Sequence, residues 1–147
     1  MLALLEHPDQ LERLREDRSL LSAAVEEGLR HQGSAQWVPR FALEGLEVAG
    51  VPVEKGDQIV LVLRAVNRDP EAFSEPHRYV IGRPEKGHLA FAAGPHTCIG
   101  PHLARAETRS ALAAIVNEFP DLELDGDYHY VPMSTIRHLA TLPVRRG

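Results

Sequence analysis

Cysteine occurs once in this chain of 147 residues, at Cys98, so no disulfide can form within it. Long apolar runs are missing too. Runs such as residues 1–5 and 59–63 fall far short of the roughly 20 residues that span a bilayer. The first residues carry neither the positive flank nor the longer apolar stretch of a secretion signal, and they run straight into Glu6 and Pro8. A cytoplasmic protein is expected, with no membrane contact. Basic residues are outnumbered, 16 against 21 acidic, and the formal charge of -5 disfavours a general nucleic-acid or anionic-membrane binder. No repeat, low-complexity tract or linker divides the chain. With 44% hydrophobic and 25% charged residues it reads as one domain over residues 1–147.

The first third reads as helical, because Leu11, Leu14, Leu20, Leu21, Ala24, Val25 and Leu29 recur at spacings of three and four among charges. Two antiparallel or angled helices are expected near 9–17 and 20–32, with Pro8 in a first turn, a break around 17–19 and a stop at Gly33. From residue 38 the pattern becomes short alternating segments, 38–43, 46–49, 51–53 and 58–63, punctuated at Gly45, Gly50 and Gly56. They predict a small antiparallel sheet. Residues 67–97 hold too much proline and glycine for long elements, yet carry Phe73, Tyr79 and Phe91 as aromatic anchors, which points to a long ordered loop. Pro101 opens a helix expected over 102–119. The tail, with segments 122–124, 128–131 and 138–144, reads as β-ribbon, and Asp125-Gly126 is a hairpin signal. The fold class is therefore α+β, helices with small antiparallel sheets around a cysteine loop.

That loop is Phe91-Ala92-Ala93-Gly94-Pro95-His96-Thr97-Cys98-Ile99-Gly100. Its cysteine stands just before a helix N-terminus, where unpaired N–H groups and the helix dipole stabilise a thiolate over a thiol. Gly94 and Gly100 let the backbone turn and approach a flat ligand closely, and Phe91 supplies an apolar wall. A lone cysteine is most often a small buried hydrophobe, but its setting favours a held anionic sulfur. A zinc site from His96, Cys98 and His102 lacks the paired spacing of structural zinc motifs.

The run resembles the cysteine-ligand loop of the cytochromes P450, the haem-thiolate monooxygenases: Phe91, Gly94, His96, Cys98 and Gly100 fall in place. Ala92 departs from the Gly, Ser, Asn or His usual at its position. The resemblance extends from about residue 20 to 144. It implies that Glu27 and Arg30, three apart on one helical face, form a charged triad with Arg78 from the segment 69–79, in which Tyr79 stands where Phe is commoner. It also implies haem b (iron protoporphyrin IX) as cofactor, with Cys98 as axial ligand of the iron and Arg40 and His96 as propionate contacts. The oxygen-activating helix and the earlier helices of the family have no counterpart here. The expectation is the carboxy-terminal, haem-proximal part of a bacterial-type P450, with no catalytic residue in this stretch.

The activity so implied is monooxygenation of a small-molecule substrate, touched here by 39–43 and 133–137, with electrons from a ferredoxin-type redoxin. For the isolated chain the expectation is self-association, rearrangement or weak haem binding. The alternatives are a haem-binding or haem-free fragment without activity, and an accessory interaction protein. Arg105 and Arg109 fit a docking patch by resemblance, and a solvated face pairing with Glu107 as the plainer reading. His7, His31, His77, His129 and His138 read as solvated, and His88 as a structural hydrogen-bonder.

Overall fold

The computed structural model describes residues 1–85, 87–132 and 135–147. The apolar run at the start forms α1 (Leu2–Leu5), all four residues of which are buried. Helix α2 (Pro8–Glu16) has its proline in the first turn and turns Leu11 and Leu14 inward. The expected break is a short 3-10 turn, Arg18–Leu20, which Asp17 caps by accepting the Ser19 N–H at 2.9 Å. Helix α3 (Leu21–Gln32) follows, and buries Ala24 and Val25 together with Glu27 and Arg30. The expectation of two helices is met, with α1 as an element the sequence pattern did not disclose.

Four strands come next: β1 (Val38–Phe41), β2 (Leu46–Val48), β3 (Val51–Val53) and β4 (Gln58–Leu61). They form two antiparallel pairs rather than one sheet, β1 with β4 and β2 with β3. A single turn of helix, α4 (Leu63–Val66), leads into the long loop. After a 3-10 turn at Gly94–His96 comes α5 (Pro101–Glu118), which packs on α3 through Leu112 and Val116. The tail supplies β5 (Leu122–Leu124), β6 (His129–Tyr130), β7 (Leu139–Thr141) and β8 (Val144–Arg146). Here the hairpin expected at Asp125-Gly126 is corrected. β5 pairs with β8 and β6 with β7, so the turn leads the chain out of β5, and the Asp125 N–H donates to the Pro143 carbonyl at 3.1 Å. A ladder closed by the returning chain end prevails over the local turn signal.

Leu4, Leu11, Leu14, Ala24, Val25, Tyr79, Ile81, Leu112 and Val116 make the core between α1, α2, α3 and α5. Leu14 is wholly buried, a contribution of about 2–3 kcal/mol. The long loop is ordered by side chains that reach its backbone. Gln10 Oε1 accepts the Ile81 N–H at 2.9 Å, Asn67 Oδ1 accepts the Leu89 N–H at 2.7 Å, and the Tyr79 hydroxyl donates to the Ala24 carbonyl at 3.2 Å. Phe73, Tyr79 and Ile81 are buried there, whereas Phe91 is only half-buried. Among the described residues no helix is long and apolar enough to cross a membrane.

Two of the five histidines read as solvated are not. His7 and His31 lie against the Tyr79 ring with centroids 5.1 and 5.6 Å away. His7 Nδ1 is 2.7 Å from the Ala3 carbonyl, and His31 Nε2 is 3.0 Å from that of His77. Their place beside a buried tyrosine required knowledge of the tertiary packing.

Candidate functional site

The cysteine loop is shaped by its backbone. Gly94, at φ +74°, opens the 3-10 turn, whose carbonyl accepts both the Thr97 N–H at 3.0 Å and its hydroxyl at 2.8 Å. The loop closes when the Cys98 N–H donates to the Phe91 carbonyl at 2.9 Å. Ala92 has φ +59°, a left-handed conformation that suits glycine better than alanine, so the departure noted in the sequence falls at a position with a real backbone demand. Gly100 is the N-cap of α5 and offers no side-chain cap, which leaves the first N–H groups of an 18-residue helix free of side-chain partners.

Cys98 is exposed, as is Ile99 beside it. A Cβ added at Gly94 or at Gly100 would meet nothing within 4 Å. At Gly94 the positive φ accounts for the glycine; at Gly100 no contact within the chain does. Phe41 and Leu43, 62% and 86% exposed, belong to the segment 39–43. A sulfur donor, free helix N–H groups, open glycine faces and exposed apolar side chains together fit a large flat apolar group with a metal at its centre. Arg40 is half-exposed and donates to the neighbouring Pro39 carbonyl at 2.8 Å, and His96 is exposed on the 3-10 turn. Both are available to an outside anion, and the structure does not bring them into contact with Cys98.

Behind the loop lies a buried charge cluster. Glu27 accepts Arg30 Nε on one oxygen and Nη2 on the other, both at 2.8 Å. Glu27 Oε1 also accepts the Val80 N–H at 2.9 Å and meets Arg83 Nε at 3.4 Å. Burial pushes the Glu27 carboxyl up, but the Arg30 hydrogen bonds, the Val80 N–H and the charges of Arg30 and Arg83 outweigh it and hold it below the usual carboxylate range. The triad expected from Glu27, Arg30 and Arg78 is therefore corrected: its second arginine is Arg83. The Arg78 side chain points outward and pairs with Glu75 at 2.9 Å, while its carbonyl accepts Arg30 Nη2 at 3.0 Å and Arg83 Nη2 at 2.9 Å. The turn carrying Arg78 packs by its backbone, which leaves that side chain in solvent. Arg83 also donates from Nη1 to the Ser74 carbonyl.

Arg30 Nη1 donates to the Asn67 carbonyl at 2.7 Å and to that of Pro76 at 2.8 Å. Asn67 in turn holds the Leu89 N–H, so the cluster connects to the strand of chain entering the cysteine loop. The plainer reading of Arg105, a solvated partner of Glu107, is also corrected: Arg105 pairs with Glu26 on α3, with Nε at 2.7 Å. His88 is a structural hydrogen-bonder as expected, with Nε2 3.1 Å from Glu26 Oε2. Among the described residues no three His, Cys, Asp or Glu side chains gather to hold a metal ion by themselves. A cavity of about 450 Å³ between α1, α3, α5 and the β6–β7 pair lies apart from Cys98.

Comparisons with known proteins agree with this geometry. The sequence model of the family described as cytochrome P450 matches residues 3–135. The cytochrome P450 monooxygenase PikC of Streptomyces venezuelae is 46% identical over 149 residues, covering 99% of this chain and 36% of that protein. The biotin biosynthesis cytochrome P450 of Bacillus subtilis (strain 168) is 41% identical over 145 residues, covering 98% and 37%. Among solved structures, P450BioI in complex with hexadec-9Z-enoic acid ligated acyl carrier protein has a TM-score of 0.96 at 40% identity, over 99% of this chain and 38% of that one. The tirandamycin C-bound P450 monooxygenase TamI has a TM-score of 0.95 at 40% identity, over 99% and 38%. The chain thus spans well under half the length of these relatives. Since the family match runs through every element that builds the cysteine loop and its charged scaffold, the chain belongs to the cytochrome P450 family, in its bacterial type.

Proposed function

We propose that this chain is the haem-proximal part of a haem-thiolate monooxygenase, with Cys98 as the axial ligand of the haem iron. The observation that carries this reading is the exposed Cys98 on a loop closed by the 2.9 Å bond to Phe91, just before the uncapped N-terminus of α5. The sulfur would be the metal donor, Phe91 would flank it, and Gly94 and Gly100 would leave room for the macrocycle. Arg40 and His96 would serve the propionates, which need a fixed cation or donor at the haem edge. The Glu27–Arg30–Arg83 cluster holds the loop's scaffold and takes no part in the chemistry.

When bound, haem would supply the oxygen-activating chemistry, with electrons from a ferredoxin-type redoxin, and the Cys98 thiolate would be its electron-rich ligand. The chain itself contributes the ligand, the loop and the cations at the edge. The groups that shape the distal side and exclude water belong to parts of the relatives that this chain does not span, so substrate oxidation is a property of the whole assembly. The substrate is a small molecule, contacted here through 39–43; the other expected contact, 133–137, includes Met133 and Ser134, outside the described residues. The cytoplasm, with its redoxin donors, is the compartment this reading assigns.

The exposed Phe41, Leu43, Val60 and Val62 favour a second property, self-association of the isolated chain through its open apolar face. A haem-free accessory role is the competing reading, and it gives Cys98 no task. Haem added to the purified chain and reduced under carbon monoxide decides between them. The expected result is the strongly red-shifted Soret band of thiolate ligation, lost in Cys98→Ser. Absence of that band in the unaltered chain overturns haem–thiolate ligation by this chain.

A further inference from the structure

We propose that Glu26 is a positioning residue for the cysteine loop, acting through Arg105 and Phe91. Its carboxylate, on α3, receives Arg105 Nε at 2.7 Å and Nη2 at 2.9 Å, a two-pronged pair that fixes the plane of the guanidinium. That plane lies against the Phe91 ring, with the guanidinium carbon 4.8 Å from the ring centroid. The same carboxylate meets His88 Nε2 at 3.1 Å. His88 Nδ1 accepts the Ala90 N–H at 3.2 Å, which leaves Nε2 as the N–H that donates to Glu26. The His88 ring is 6.3 Å from that of Phe91. Two groups that touch or approach Phe91 are thus both oriented by one carboxylate.

Phe91 begins the loop and its carbonyl holds the Cys98 N–H, whereas Arg105 stands in the second turn of the helix that follows the loop. Both ends of the loop therefore close on a single side chain of α3. The pair is partly exposed, 43% at Glu26 and 35% at Arg105, so it adds little to global stability. Its effect is local: with Arg105 released, the Phe91 ring loses its restraint and the Phe91–Cys98 closure opens more often.

The importance of this device for haem rests on the reading of Cys98 as ligand, but the device can be measured without haem. In the full 147-residue chain, amide hydrogen exchange followed by NMR reads the Cys98 N–H directly. Glu26→Gln and Arg105→Gln each speed exchange at Cys98 roughly two- to fivefold, the factor a cation–π contact at a half-exposed site corresponds to. Exchange at Leu112 and Val116 stays unchanged, and the double variant is no faster at Cys98 than either single one. Unchanged exchange at Cys98 overturns the proposal, as does equal acceleration at the two core positions. Should Glu26→Gln fail to fold, Arg105→Gln decides alone, with Arg105→Lys expected between it and the unaltered chain. After haem is added, the same variants shift the Soret band of the carbon monoxide complex. Failure to take up haem while the amide response persists overturns the ligand reading and supports the clamp.

Discussion

Arg30 clasps Glu27 with Nε and Nη2, each at 2.8 Å, and the two side chains are only 2% and 3% exposed. A charge pair so enclosed tolerates the loss of neither partner. Glu27→Gln would leave the buried Arg30 without its counter-charge and take one carboxylate from Arg83, and is expected to destabilise the chain by about 3–5 kcal/mol in urea unfolding. Arg83→Ala should cost at least about 2 kcal/mol, the scale of lost hydrogen bonds to a charged group. Arg78→Ala should leave the unfolding midpoint where it is. The reverse ranking of Arg83 and Arg78 would show that the third member of the cluster is misassigned.

Acid should weaken the fold in two steps. Burial holds the His31 imidazole below its usual value, aided by Arg68 and Arg30 and opposed by its bond to the His77 carbonyl. The unfolded chain therefore gains a proton at His31 that the folded chain resists, and stability declines as pH falls below about 6.5. Glu27 is also held low in the folded state, as is Glu26 through its Arg105 hydrogen bonds. Their stabilisation is complete above the ordinary carboxylate range and is lost as pH falls below about 4.3 toward their folded values. Melting temperature measured against pH should show both declines, with His31→Gln removing the first and keeping the second.

Backbone strain at Ala92 can be relieved. At φ +59° a Cβ is unfavourable, and Ala92→Gly should stabilise the chain by about 1 kcal/mol. Gly94→Ala, at φ +74°, should cost about 1–2 kcal/mol for the same reason. Chemical denaturation of the two variants reads both signs at once, and a loss of stability in Ala92→Gly would contradict the conformation at that position.

Gly100 separates fold from ligand. Its φ is −109° and an added Cβ meets nothing within 4 Å, so Gly100→Ala should cost less than about 1 kcal/mol, the scale of a poorer N-cap. Haem titration should nevertheless show weaker uptake, because the new methyl group would stand where the macrocycle approaches. Equal haem affinity in the two proteins would remove Gly100 from the binding surface.

The open apolar face should make sedimentation of the isolated chain depend on concentration. Phe41 and Leu43, 62% and 86% exposed, are the residues to change, and Phe41→Ser with Leu43→Glu should shift the distribution toward monomer. A monomeric unaltered chain at high concentration would rule out this surface as a self-association site.

Much of the site was legible because its parts are local. The spacing of Phe91, Gly94, His96, Cys98 and Gly100 defines one turn before one helix, and Glu27 and Arg30 need only helical periodicity to share a face. Pro8 and Pro101 marked helix starts to within a residue. Less legible was whatever depends on which distant segment arrives. Arg78 and Arg83 lie on the same irregular loop, and no period distinguishes the one whose side chain turns inward. Arg105 could face Glu107 or Glu26 until the packing of α5 on α3 was known.

By itself, then, the sequence determined the family, the axial cysteine candidate and the helices that carry them, since these depend on residue types a few positions apart. Only the tertiary structure decided that Arg83 completes the Glu27 cluster, that β5 pairs with β8, and that Glu26 ties both ends of the cysteine loop to α3. Each of those joins residues at least 20 positions apart. Their choice follows from the burial of the common core and the satisfaction of polar groups around it, terms that no local pattern contains.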